Sequence, residues 1–161
     1  MRKIATIATT LMLMLALSAG VAFAEIKIGT DAGETLKGTS QADELEGLGG
    51  NDLLQGLGGD DFLYGGKGHD GLYGGAGNDT IRGGSGDDRA EERKLHGGSG
   101  HDVLYGDAGE DGLYAGPGND TVYSVGDNAG DYVDCGSGID TLKKGSDQNL
   151  DRFVDCERFV N

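Results

Sequence analysis

GGKGHDGLYGGAGNDTIRGGSGDD, running from Gly65 to Asp88, is the stretch whose reading decides the fold. By composition it looks like an acidic, disordered linker, because so much glycine gives up backbone entropy on ordering. Its spacing says otherwise. Cut into nines, it yields GGKGHDGLY from Gly65 and GGAGNDTIR from Gly74, each with Asp at position six and an aliphatic residue at position eight. The same frame runs upstream through GLGGDDFLY from Gly56 and GLGGNDLLQ from Gly47. Downstream it continues through GGSGHDVLY from Gly97, the unit from Gly106 that ends GEDGLY, and AGPGNDTVY from Ala115. The position-six series is Asp43, Asp52, Asp61, Asp70, Asp79, Asp88, Asp102, Asp111 and Asp120, and Glu34 with Leu36 extends the register upstream. A short fixed period signals a solenoid.

The positions divide the work. Glycine at one, two and four permits left-handed or crowded backbone. The three residues x-U-x make a short strand with the middle side chain inward. Leu45, Leu54, Leu63, Leu72, Ile81, Leu104, Leu113 and Val122 would then stack as a thin apolar ladder, too narrow to offset the ordering of so many glycines alone. This motif, G-G-x-G-x-D-x-U-x, resembles the repeats-in-toxin (hemolysin-type) calcium-binding family.

The resemblance implies an all-β fold, a parallel β-roll (right-handed β-solenoid) in which two units make a turn and Ca²⁺ lies between loops one turn apart. One edge would pair Asp61 with Asp79, Asp79 with Asp102 and Asp102 with Asp120. The other would pair Asp52 with Asp70, Asp70 with Asp88 and Asp88 with Asp111. About six ions follow, with a weaker site through Asp43 and another G-x-G-x-D loop at Asp140. Backbone carbonyls would join them from Gly65, Gly66, Gly68, Gly74, Gly75, Gly77, Gly83, Gly84, Gly86, Gly97, Gly98 and Gly100. The GTSQAD loop before Asp43 lacks the inner glycines and reads as a cap.

Four segments are expected. Residues 1–24 resemble a secretory signal peptide, with basic MRK, an apolar run and the small pair Ala22 and Ala24. Residues 25–46 form a capping strand and degenerate repeats, and 47–123 hold the regular repeats. Residues 124–161 form an irregular, disulfide-linked closing segment. An insertion at 89–96 follows Asp88, reading as an outward bulge with Leu95 refilling the inward slot, either a partner-docking loop or a neutral insertion. Cys135 and Cys156 sit in the recurring DYVDC and RFVDC, about one strand spacing apart if on successive turns. That suits a disulfide, with free or intermolecular thiols as the alternative.

The 161-residue chain carries a net charge of −15, about −17 without Arg2 and Lys3. Such a balance favours multivalent cations and excludes nucleic acid, and no membrane association is expected once the leader is cleaved. His69 and His101 take position five, facing solvent, and with His96 they make no zinc constellation. Tyr64, Tyr73, Tyr105, Tyr114 and Tyr123 share position nine, as strand packing or as a glycan platform. No H-E-x-x-H or G-x-S-x-G motif occurs, so no enzyme is expected. The expectation is a secreted, extracellular calcium-binding repeat protein that folds on Ca²⁺. The alternative is a Ca²⁺-dependent surface-adhesion or carbohydrate-binding module, with a cell-surface or glycan partner unidentified.

Overall fold

The computed structural model describes residues 24–124, 127–145 and 151–160. The expected leader, apart from Ala24, lies outside the described residues. The chain winds into an all-parallel β-solenoid of about 7 turns, with no helices among the described residues. Consecutive units alternate between two sheets. The eight-stranded sheet runs, in spatial order, through Ile26–Ile28, Glu44–Glu46, Phe62–Lys67, Thr80–Ser85, Val103–Ala108, Thr121–Ser124, Thr141–Lys144 and Arg158–Val160. The seven-stranded sheet runs through Thr35–Lys37, Leu53–Gly58, Gly71–Ala76, Leu95–Ser99, Gly112–Tyr114, Tyr132–Asp134 and Arg152–Val154. This is the β-roll the repeat predicts.

Register follows the sequence period. Leu54 pairs with Leu72 and Leu63 with Ile81. Across the insertion, Leu72 pairs with Leu95, and in the closing segment Val122 pairs with Leu142. Two inward ladders result, one per sheet, and every ladder residue from Leu45 to Leu142 is fully buried, Leu95 and Val133 included. The apolar column is one side chain deep per strand, which leaves the loops to hold the turns together.

Glycine is required where turns stack. Gly68 has φ of +133°, and a methyl group there would lie 1.5 Å from the Gly50 carbonyl oxygen of the preceding turn. Position two also imposes the left-handed region, since Leu48 and Leu57 adopt it at φ of 71° and 82°. The ends are capped differently. Lys27 takes the inward slot beside Leu45, its Nζ 2.5 Å from Glu25 Oε2 and donating to the Lys37 carbonyl. A charge there blunts the first strand's open edge against further pairing. At the other end Lys144 Nζ lies 4.0 Å from the Phe159 ring centroid and 4.9 Å from that of Phe153. Cys135 and Cys156 form the expected disulfide, with Cα atoms 5.1 Å apart.

Candidate metal centres

Each position-six aspartate directly precedes a strand or, for Asp88, the insertion, and the turn, 18 residues in the regular repeats, stacks it on its counterpart. On one edge, Oδ1 of Asp61, Asp79, Asp102, Asp120 and Asp140 accepts the backbone N–H of Asp43, Asp61, Asp79, Asp102 and Asp120, at 2.7–2.9 Å. On the other, Oδ1 of Asp70, Asp88 and Asp111 accepts from Asp52, Asp70 and Asp88, at 2.5–3.0 Å. All six predicted pairs are thus brought together in two columns.

The second carboxylate oxygen is the telling one. Oδ2 of Asp52, Asp61, Asp70, Asp79, Asp88, Asp102, Asp111, Asp120 and Asp140 is buried without a hydrogen-bond partner. An orphaned carboxylate oxygen is costly unless a cation or proton answers it. Its surroundings supply oxygens, not donors. A methyl group on Gly65 would lie 2.5 Å from Asp70 Oδ2 and 2.6 Å from the Gly83 carbonyl oxygen. The carbonyls of Gly65, Gly74 and Gly97 occupy the same relation to Gly47, Gly56 and Gly74. Those of Gly66, Gly75, Gly98, Gly68, Gly77, Gly86 and Gly100 each face the glycine of the next turn, and Gly84 itself sits against the Gly66 oxygen. Among the described residues no three His, Cys, Asp or Glu side chains converge on a point. A donor set of one or two carboxylates with carbonyl oxygens suits a hard, oxygen-seeking cation such as Ca²⁺ and not zinc.

Asp43 differs. Its Oδ2 accepts from Thr39 N–H at 2.6 Å and Thr39 Oγ1 at 3.0 Å, so the GTSQAD loop answers its own carboxylate. The sequence reading passed over Asp131 and Asp151. Asp131 Oδ1 accepts from Asp111 N–H at 3.0 Å, and Asp151 Oδ1 from Asp131 N–H at 3.1 Å, extending the second column. Their signal was present: each directly precedes an x-U-x triplet, in DYV and DRFV. The step of 20 in place of 18 hid them. Ser124 Oγ, at 3.1 Å, satisfies Asp131 Oδ2.

Burial drives the electrostatics. It raises the carboxyls of Asp52, Asp61, Asp79 and Asp102 to a pKa of about 6, the backbone N–H bond opposing and neighbouring aspartates adding to the rise. Asp88 and Asp131 reach about 7, and Asp111 about 8, for the same reason. Asp70, Asp120 and Asp140 are also raised by burial. These are carboxylates that the protein alone leaves under-compensated.

Position five forms a second ladder of opposite sense. His69 N–H donates to Asn51 Oδ1 at 2.9 Å, and Asp87 N–H donates to His69 Nδ1 at 3.0 Å. On the other edge His101 N–H donates to Asn78 Oδ1, and Asn119 N–H to His101 Nδ1 at 2.9 Å. The two histidines are exposed as expected, yet they also fasten the next turn.

Position nine splits between the two faces. Tyr73, His96 and Tyr114 stack at 5.0 and 4.9 Å on one. On the other Arg82 lies between Tyr64 and Tyr105, and Tyr105 stacks on Tyr123 at 4.3 Å. Four segments of the chain, residues 28–63, 37–72, 55–90 and 94–122, match the model of the RTX calcium-binding nonapeptide repeat. No curated protein and no solved structure matches the chain.

Proposed function

Since the chain belongs to the RTX calcium-binding nonapeptide repeat family, and is a calcium-binding repeat protein built as a non-catalytic β-solenoid, we propose that its task is calcium-coupled folding outside the cell. The observation that carries this is the run of buried Asp Oδ2 atoms without a partner, those of Asp52, Asp61, Asp70, Asp79 and Asp88 beside glycine carbonyls and that of Asp102 beside the Ala115 carbonyl. The residues that would hold the ions are Asp52, Asp61, Asp70, Asp79, Asp88, Asp102, Asp111 and Asp120, with Asp140 at the closing end and the position-one, -two and -four carbonyls. About six ions follow from pairing successive turns on oxygen-ligand chemistry. Bound calcium supplies positive charge between carboxylates, so its binding free energy becomes folding free energy.

Millimolar extracellular calcium would suffice, with an affinity on the order of 10⁻⁴ to 10⁻³ M. The leader-like residues 1–24 and the disulfide favour a secreted location, since that bond persists in oxidising compartments. The test is circular dichroism of residues 25–161 in chelator and then in millimolar Ca²⁺. A largely unfolded chain should gain full β signal with Ca²⁺ and little with Mg²⁺, which demands tight octahedral geometry. Full β signal in chelator at neutral pH would overturn the reading. The adhesion or glycan alternative gains little from Tyr73, Tyr105, Tyr114 and Tyr123, because each stacks a face on a neighbouring ring and withholds it from a sugar.

A further inference from the structure

The insertion after Asp88 is exposed over residues 89–92, yet it turns back against the roll. Ala90 and Arg93 close a tight turn, Arg93 N–H donating to the Ala90 carbonyl at 2.8 Å. The turn folds back over the seven-stranded sheet, where Leu72 N–H meets the Lys94 carbonyl at 2.9 Å and the Arg89 guanidinium pairs with Glu110. The sheet is built to receive it. Position seven carries a side chain in most units, but it is glycine in GLY from Gly71 and GLY from Gly112, the strands on either side of Leu95–Ser99. A methyl group on Gly71 would lie 2.5 Å from the Glu92 carbonyl oxygen and 3.3 Å from Arg93 Cα.

So docked, the segment carries Arg93 along the edge of Asp52, Asp70 and Asp88. Arg93 Nη1 donates to the His69 carbonyl, the residue next to Asp70. Arg93 also lines a cleft of about 580 Å³ with Glu34 and Asp52, and a second of about 710 Å³ with Asn51, His69 and Asp87. We propose that residues 89–94 are a cation strap: the Arg93 guanidinium is a resident counter-ion of the Asp52–Asp70–Asp88 column and weakens calcium binding there relative to the opposite edge. The charge effect is consistent, because Arg93 opposes the rise in pKa of all three aspartates. On the other edge the charges acting on Asp61 and Asp79 are carboxylates.

The proposal rests on the calcium reading above, and one experiment separates the two. Equilibrium dialysis with labelled calcium is run at concentrations where circular dichroism has already saturated, so that only late ions are counted. Wild type, R93K, R93Q and R93E are compared, with R82Q as a control that removes a cation from the opposite face. Removing a positive charge beside a cation site tightens it. R93Q should bind the late ions about threefold more tightly and R93E about tenfold, as expected for a charge at a partly solvated edge. R93K and R82Q should match wild type. Superimposable isotherms for R93E and wild type, or an R93K shift equal to that of R93Q, would overturn the strap while leaving calcium binding intact. A wild-type chain that takes up no calcium would overturn both.

Discussion

At the scale of single residues, what separates one aspartate from another is the fate of its second oxygen. Asp79 Oδ2 is buried and orphaned, while Asp43 Oδ2 is answered twice by Thr39. Asp79 also stands in mid-column, between Asp61 and Asp102. Removing its carboxylate weakens an ion on each side where coupling between turns is greatest. Asp79→Ala should raise the calcium midpoint about fivefold or more and flatten the transition, and Asp43→Ala should shift it less than twofold. Asp79→Asn should fall between, since its amide oxygen can still accept from Asp61 N–H while the charge is lost. Titration by circular dichroism at fixed ionic strength checks the series; equal midpoints for the two alanine variants would contradict it. The position-six column was legible in the sequence because period and ligand coincide. Asp131 and Asp151 were not, because the closing turns lengthen to 20 residues and a fixed frame slides off them. The position-five ladder was missed for another reason: Asn51, Asp60, His69 and Asn78 are of three residue types and have in common only an acceptor atom at the same reach.

Among the elements, x-U-x placed each strand but not its length, since Leu53–Gly58, Phe62–Lys67, Gly71–Ala76, Thr80–Ser85 and Val103–Ala108 run on for three more residues; every expected ladder residue is buried, Leu95 included, and Val133 and Leu142 extend the ladder. How the insertion lies was not readable, since it passes two glycines, Gly71 and Gly112, that look like ordinary repeat variation. Their roles can be told apart. A Cβ on Gly71 would strike the Glu92 carbonyl oxygen at 2.5 Å, whereas one on Gly112 meets nothing nearer than 3.4 Å. Gly71→Ala should therefore lift residues 89–94 off the sheet, exposing the Leu72 and Arg93 amides to hydrogen exchange at least tenfold faster in saturating calcium. Gly112→Ala should leave both amides protected. Equal protection in the two variants would mean that the segment is not held by this close approach. The disulfide acts at the same scale. It closes a 21-residue separation around the last turns, where Phe153 and Phe159 cover the ladder incompletely, and contributes roughly 3 kcal/mol by limiting the unfolded chain.

For the whole molecule, raised carboxyl pKa values reverse the usual response to acid. An aspartate shifted from 3.8 to about 6, as Asp79 is, holds its proton more tightly folded than unfolded. Between about pH 4 and pH 8 the metal-free folded chain then binds more protons than the unfolded one, so its stability falls as pH rises through that window and is retained below it. In chelator, β signal should grow on acidification from pH 8 to pH 5; in calcium it should be present throughout, with a midpoint that rises as protons compete for the same oxygens. Loss of β signal on acidifying the chelated chain would contradict this. The stacking of turns carries one more consequence. Each edge places a carboxylate at every strand spacing, about 4.8 Å, so the two edges together average one per about 2.4 Å along the axis, denser than the phosphates of a single nucleic-acid strand. Fully ionised, the roll is a line charge, a polyelectrolyte wound from protein. Monovalent ions would gather on it and would have to be displaced as calcium enters. The logarithm of the calcium midpoint should then climb with the logarithm of the sodium chloride concentration, as it does for ligands of DNA, and a flat dependence would show that the columns act as isolated sites.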